Sequence, residues 1–355
     1  MTTEILAYAA HSPIDSLKQF TLERRAVLEN DVKIDILYCG VCHSDIHMTR
    51  DEWGFNPIYP MVPGHEIIGK VSQIGNNVTK FKVGDLVGVG CMVGSCHNCE
   101  SCRYGLEQYC ERGFIGTYGA KDVYHGGEIT YGGYSQQVVV DQSFVLTIPV
   151  NLQLDSVAPL LCAGITTWSP LNHWKVGKGD VVGIIGLGGL GHMGVKFANA
   201  LGCKVVMITT SSHKSEDAKK IGAHEVLLSN DEDELAKYKG KFDFLLNTIP
   251  IEHDMSKYIP LLKLDATMVV VGSFTPLKGV HGTPLIKGRK RIAGSLIGGI
   301  KETQEMLDFC GKNNIIADVE VINIQDVNLA YSRMIKSDVK YRFVIDIKSI
   351  MPSTI

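Results

Sequence analysis

The sequence predicts an α/β protein in two parts, an irregular β-rich domain and a doubly wound parallel sheet. Three observations carry this. The first 150 or so residues hold short β-branched runs punctuated by glycine, at 32–38, 67–74, 86–89 and 137–140. Near Asp155 the pattern changes to strands alternating with helical segments, the mark of parallel strands joined by crossovers. A glycine-rich turn, Gly186-Leu187-Gly188-Gly189-Leu190-Gly191, joins the first strand and helix of that alternating region. The chain has 355 residues, and single cores stop growing near ~250–300, which also argues for two domains.

In chain order, 181–185 reads as a buried strand, 190–201 as a helix, 204–209 as the next strand and 215–221 as the next helix. Runs at 242–247, 267–272 and 291–296 add strands, after which the chain is expected to return to the first domain with a final strand at 340–347. The expected division is therefore 1–152 with 297–355, including a cysteine-rich lobe at 91–112, and 153–296 for the parallel sheet.

Composition excludes several classes. Hydrophobic residues make up 45% and charged residues 21%, so the chain buries a core and is not disordered. A net charge of −3 gives no electrostatic footprint for nucleic acid, and no Lys/Arg run suggests a membrane surface. Residues 1–16 carry Glu4, His11 and Asp15 and do not read as a secretory signal; no apolar run has the length of a membrane span. A cytoplasmic enzyme is the expectation.

Ten cysteines in such a chain point to metal more than to disulfides. Cys96, Cys99, Cys102 and Cys110 follow C-x2-C-x2-C-x7-C, a spacing that lets four thiolates close a tetrahedral cage with no open position, a structural zinc site. Glu100, Arg103 and Glu107 make the segment too polar for core, and His97 inside it reads as solvated. Cys39, Cys91, Cys203 and Cys310 read as small buried hydrophobes. The other cluster is Cys39-Gly40-Val41-Cys42-His43-Ser44-Asp45-Ile46-His47, which puts thiol, hydroxyl, carboxylate and imidazoles directly after a strand. With Pro63-Gly64-His65-Glu66 and Leu161-Cys162-Ala163-Gly164 it can supply two thiolates and one imidazole, the Cys₂His set of a zinc that keeps an open fourth position.

The glycine turn reads as a dinucleotide site of the Rossmann type, because it lies between strand and helix. Its glycines let the backbone approach a pyrophosphate, which then rests on the helix N-terminus. NAD sites usually carry an acid ~20 residues further on, against the ribose. None occurs from Val181 to Ser215; Thr210, Ser211, Ser212 and Lys214 stand there instead. Hydroxyl and ammonium donors suit a 2′-phosphate, so NADP(H) is the expected coenzyme.

Together with Tyr59-Pro60-Met61-Val62 and Gly294-Ser295-Leu296-Ile297-Gly298, these motifs run nearly end to end. The chain resembles the zinc-dependent medium-chain alcohol dehydrogenases, within them the cinnamyl alcohol dehydrogenase-like, NADP-dependent group. The resemblance implies a GroES-like catalytic domain plus a Rossmann coenzyme domain, a homodimer, and an active site in the cleft between the domains. It makes Cys42, His65 and Cys162 the catalytic zinc ligands, with Glu66 able to take the fourth position, and so two zinc ions per chain. Ser44 becomes the group passing the alcohol proton onward and His47 the one handing it to solvent. Asp45 accepts from the free nitrogen of a ligand histidine, and His43 reaches coenzyme phosphates. Thr166, Thr248, Gly272, Ser295, Leu296 and Ile297 match positions lining the nicotinamide end, and Ser44 lies on the coenzyme side.

The implied reaction is hydride transfer between NADP(H) and a small primary alcohol or aldehyde, aromatic such as cinnamyl or benzyl, or medium-chain aliphatic. The competing readings are a zinc-dependent polyol or sugar dehydrogenase, whose NAD-type acid would stand at Thr210, and a non-catalytic NADPH-binding sensor, which has no need of Cys42, His65, Cys162, Ser44 and His47 together. A zinc-free quinone reductase-like relative would lack both cysteine sets. Trp53, Met92 and Tyr118 are candidates for pocket or core.

Overall fold

A computed structural model describes residues 3–272 and 274–351. The chain forms two compact units, Met1–Cys162 with Gly298–Ile355, and Ala163–Ile297.

The first unit is built on a seven-stranded sheet. Its path runs Val319–Asn323, Arg342–Asp346, Asp31–Val41, Ile67–Ile74, Leu86–Val89, Leu146–Thr147, with Gln137–Asp141 also paired to Asp31–Val41. Asp31–Val41 holds the centre because alternate residues Val32, Ile34 and Ile36 face the core, and because it pairs with three other strands. Thr3–Ala9 and Lys18–Arg24 form a separate antiparallel pair that the opening sequence did not suggest. The stretch 154–161, expected with the parallel sheet, belongs here: Val157, Ala158, Leu160 and Leu161 bury their side chains against the strands Asp31–Val41 and Ile67–Ile74. The expected return is present, as helix Ile300–Asn313, strand Val319–Asn323, helix Val327–Ile335 and strand Arg342–Asp346.

The second unit is one parallel sheet of six strands. The order is Glu225–Leu228, Lys204–Thr209, Val181–Ile185, Phe242–Asn247, Leu262–Val270, Arg291–Gly294. Strand order reverses beside Val181–Ile185, the place where such sheets bind ligands at their carboxyl ends. The middle strands are apolar over most of their length, as strands covered on both faces must be. Glu225–Leu228 escaped the sequence reading because it is short and bounded by polar residues.

Candidate metal and coenzyme sites

Strand Asp31–Val41 ends directly before Cys42, which caps helix His43–Thr49. Asp45 closes the cap, accepting the Cys42 N–H at 2.8 Å. His65 and Glu66 come from the entry to the neighbouring strand, where the Gly40 N–H donates to the Glu66 carbonyl at 2.9 Å. A Cβ on Gly40 would lie 1.9 Å from Glu66 Oε2, so only glycine lets that carboxylate occupy its place. Cys162 follows the turn Ala158–Leu161.

These elements bring ligand atoms of Cys42, His65, Glu66 and Cys162 within 4.8 Å of one another, all four residues buried. The two sulfurs are 3.9 Å apart, against about 3.8 Å for two thiolates on one tetrahedral zinc. His65 Nδ1 is 3.3 Å from Asp45 Oδ1, which leaves Nε2 facing the thiols; Nε2 is buried with no hydrogen-bond partner, and so is Glu66 Oε2. Unpaired buried polar atoms beside two thiols cost free energy unless a cation joins them, so the donor set fits zinc.

Arg342 was not anticipated from sequence. Phe343 lies opposite Val41 in the antiparallel ladder, which brings Arg342 beside Cys42 and onto Glu66 Oε1. Burial pushes the Glu66 carboxyl up to about 8 against the pull of Arg342. No local signal announces this partner, 276 residues away in sequence.

The Cys42 thiol reaches Ser44 Oγ at 3.6 Å. His47 lies on the helix, half exposed, its Nδ1 2.5 Å from Glu52 Oε2 and its ring 5.0 Å from Trp53. Glu52 also escaped the sequence reading; an acid five residues beyond His47 was the available clue. His43 is half-buried, and burial lowers its pKa. Tyr118 stacks on the His65 ring at 5.6 Å and 15°, while Met92 is core. Cys91, expected to be a buried hydrophobe, is half exposed and its thiol reaches the Leu161 carbonyl at 3.7 Å.

In the lobe, Cys96, Cys99, Cys102 and Cys110 converge within the same 4.8 Å limit. Cys96 and Cys102 sulfurs are 3.9 Å apart, and backbone N–H groups of Cys96, Cys99 and Cys102 donate to Cys110, Cys96 and Cys99 sulfurs at 3.4–3.5 Å. Donors aimed at sulfur stabilise thiolates, the form a metal needs. His97 is exposed and turned onto Phe144, outside the cage.

In the second unit the glycine turn follows Val181–Ile185. Gly186 has φ 95°, and a Cβ on Gly191 would sit 1.8 Å from the Gly186 carbonyl, so both must be glycine. A Cβ on Gly188 would meet nothing within 4 Å, leaving open space over the turn. Gly189 and Leu190 lead into helix Gly191–Ala200, whose N-terminus has no side-chain cap and so leaves its positive dipole end uncovered by a side chain. Buried Thr248 donates to the Ile185 and Gly186 carbonyls at 2.9 and 3.0 Å, and Gly272 packs on Thr248. Lys214 Nζ donates to the Leu187 carbonyl at 3.2 Å, so it stands at the turn. Thr210 and Ser212 are exposed and Ser211 half-buried, just past Lys204–Thr209. Ser295, Leu296 and Ile297 follow Arg291–Gly294, and Thr166 is buried in helix Ala163–His173. The expected coenzyme residues of this unit other than Thr166 thus gather past the carboxyl ends of adjacent parallel strands.

Two family models match, the alcohol dehydrogenase GroES-like domain over residues 28–150 and the zinc-binding dehydrogenase domain over 189–312. The chain belongs to the zinc-dependent medium-chain alcohol dehydrogenases, in the cinnamyl alcohol dehydrogenase-like group. It is an oxidoreductase. It is 52% identical over 345 residues to aldehyde reductase YahK of Escherichia coli (strain K12), covering 97% of this chain and 98% of that one. It is 50% identical over 347 residues to NADP-dependent alcohol dehydrogenase C 1 of Mycolicibacterium smegmatis, covering 98% and 99%. The cinnamyl alcohol dehydrogenase of Helicobacter pylori, solved with NADP(H), superposes with a TM-score of 0.91 at 42% identity, covering 99% and 100%. No helix among the described residues is long and apolar enough to cross a membrane.

Proposed function

We propose that the protein interconverts primary alcohols and aldehydes with NADP(H), using one zinc at Cys42, His65 and Cys162 and a second in the four-cysteine cage. The observation that carries this is the orphaned, buried Nε2 of His65 between two thiols 3.9 Å apart. When bound, zinc supplies Lewis acidity toward the substrate oxygen and NADP(H) supplies or takes the hydride.

The chain's own groups do the rest. Asp45 holds the proton on His65 Nδ1, so that Nε2 is the donor nitrogen. Arg342 engages Glu66 through Oε1, which keeps a second carboxylate at the centre without a lone buried charge. Ser44 takes the proton of the reacting hydroxyl and His47 passes it to solvent; Glu52 fixes His47 with Nδ1 as its donor nitrogen, leaving Nε2 to receive a proton. Gly186, Gly188 and Gly191 admit the pyrophosphate, while Thr210, Ser211, Ser212 and Lys214 receive the 2′-phosphate. The first unit acts as the catalytic domain and the second as the coenzyme domain. Cysteines that serve metal sites instead of disulfides among the described residues support a cytoplasmic setting, and the family likeness supports a homodimer.

The test is a panel of aromatic and medium-chain aldehydes assayed with NADPH and with NADH, for the parent and for Thr210→Asp. A phosphate contact by Lys214 worth roughly 1.5–3 kcal/mol if partly desolvated, with hydroxyl donors added, gives a preference for NADPH of about 10²-fold in kcat/KM. Thr210→Asp should reverse it, since a carboxylate repels phosphate and accepts from free ribose hydroxyls. A parent ratio near unity would mean that this strand end does not read the ribose.

A further inference from the structure

Asp45 is fully buried, and four polar contacts, besides the Tyr118 hydroxyl nearby, converge on its carboxylate. Oδ1 faces the Gly64 N–H at 3.2 Å and His65 Nδ1 at 3.3 Å; Oδ2 faces the Cys42 N–H at 2.8 Å and the Tyr134 hydroxyl at 3.1 Å. Three of these donors belong to the segments carrying the proposed zinc ligands. The fourth is brought in from elsewhere, 89 residues along the chain.

Tyr134 cannot wander. It is fully buried, its N–H donates to the Pro63 carbonyl at 3.0 Å, and its ring lies so close to Gly64 that a Cβ there would sit 2.7 Å from Cδ1. Arg24 grips the turn that carries it, donating to the Tyr131 and Gly132 carbonyls at 2.7 and 3.0 Å and to Ser135 Oγ at 2.7 Å. A buried arginine is thus devoted to placing this stretch of backbone.

We propose that Tyr134 is a positioning residue for the metal centre, whose hydroxyl draws the charge of Asp45 away from His65 and so keeps the bound metal a strong Lewis acid. This rests on the reading of Cys42, His65 and Cys162 as zinc ligands. The two backbone N–H groups of Cys42 and Gly64 already locate the carboxylate, one on each oxygen. What the hydroxyl adds is charge sharing. Without it Asp45 has one donor fewer and pulls harder on the His65 Nδ1 proton, and the imidazole becomes a better electron donor through Nε2. The metal-free protein then holds an under-compensated buried carboxylate, whereas in the metal-bound protein the dication compensates it. Loss of the hydroxyl therefore destabilises the metal-free form more, and by linkage the metal binds more tightly. Tighter binding with slower chemistry is the signature, opposite to that of a damaged pocket, which loses metal and activity together.

The experiment compares zinc release to a chromogenic chelator from the intact parent, Tyr134→Phe and Cys162→Ser, after metal counting by elemental analysis. The release phase missing in Cys162→Ser identifies the open site. In Tyr134→Phe that phase should show zinc held about threefold or more tightly, with kcat for alcohol oxidation lowered and the coenzyme dissociation constant unchanged. Replacing Tyr134 alone by 3-fluorotyrosine, a stronger donor, should shift zinc affinity the other way and keeps the test alive should the phenylalanine variant fold poorly. Equal or weaker zinc binding in Tyr134→Phe, or no opposite shift in the fluorotyrosine protein, overturns the proposal. A parent with zinc in the cage alone would overturn the reading of the open site itself, whatever Tyr134 does.

Discussion

Replacing Glu52 tests the proton path at its outermost member. In the native protein Glu52 Oε2 accepts from His47 Nδ1 at 2.5 Å, while Arg50 Nη1 stands 3.6 Å from the other oxygen. The side chains of His47 and Glu52 are 27% and 41% exposed, so the pair is screened by solvent. Such pairs contribute ~0.2–1 kcal/mol, and removing the carboxylate by Glu52→Ala should therefore slow proton-limited alcohol oxidation only about 1.4- to 5-fold. Glu52→Gln should do more harm, although it is the gentler change in shape. Arg50 favours the amide oxygen on its own side, which turns the amide N–H₂ toward His47 Nδ1; that nitrogen must then accept, and its proton moves to Nε2, the nitrogen needed to receive one. The assay is kcat/KM for alcohol near neutral pH with and without a small external base, which should restore part of the loss in both variants. Glu52→Gln faster than Glu52→Ala would refute the tautomer argument, and native rates in both would remove Glu52 and His47 from the path.

The two cysteine sets should respond differently to substitution. Cys99→Ser opens a cage that contributes folding free energy and should lower the thermal midpoint and the zinc count by one, whereas Cys162→Ser should leave the fold intact and cut activity by at least about 10³-fold, because several kcal/mol of charge stabilisation are lost. At His125 the effect is one of pH. Its Nδ1 lies 2.9 Å from Asp122 Oδ2; that hydrogen bond raises His125 above 6.5, and although burial raises Asp122, His125 brings it below 3.8. The raised histidine contributes stability that is full below its unfolded value and lost as pH climbs through the folded one; the depressed aspartate contributes above its unfolded value and loses it as pH falls through the folded one. His125→Gln should therefore lower the thermal midpoint more at about pH 5.5 than at about pH 9, and an equal change at both would show that the pair does not titrate as described.

What could be read from the sequence was whatever chemistry demands at short spacing. The cage is legible because four thiolates within fifteen residues have one economical use, and the turn at Gly186 because strand, glycines and helix must be contiguous to hold a pyrophosphate. The open site was legible in fragments that donor chemistry joins into a Cys₂His set, with the roles of the surrounding residues implied by family resemblance. Arg342, Glu52 and Tyr134 were missed for one physical reason: each acts by touching another side chain, and the spacing of such partners is set by strand register and loop path. The segment 154–161 was assigned to the other unit because helical pattern alone does not say which sheet a helix covers. The hairpin of Thr3–Ala9 and Lys18–Arg24 was missed although its residues pair in strict register, since mixed polar runs resemble loops.

The return of the chain to its first unit has a consequence for how the open site comes into being. Cys42 and Asp45 are local to one strand end, and the backbone of Glu66 is held there by Gly40. A Glu66 carboxylate with no cation beside it would be an unpaired buried charge, so the packing around Gly40 is tolerable only once Arg342 arrives. Arg342 arrives only when Arg342–Asp346 has paired with Asp31–Val41, after the whole of the second unit has been synthesised. The cage, complete within Cys96 to Cys110, carries no such dependence. Contacts that span so much of the chain are slow to close, whereas a short loop closes readily. The cage can therefore close from local contacts alone, whereas the cluster proposed to hold the catalytic zinc gains its Arg342 partner only once Arg342–Asp346 has paired with Asp31–Val41.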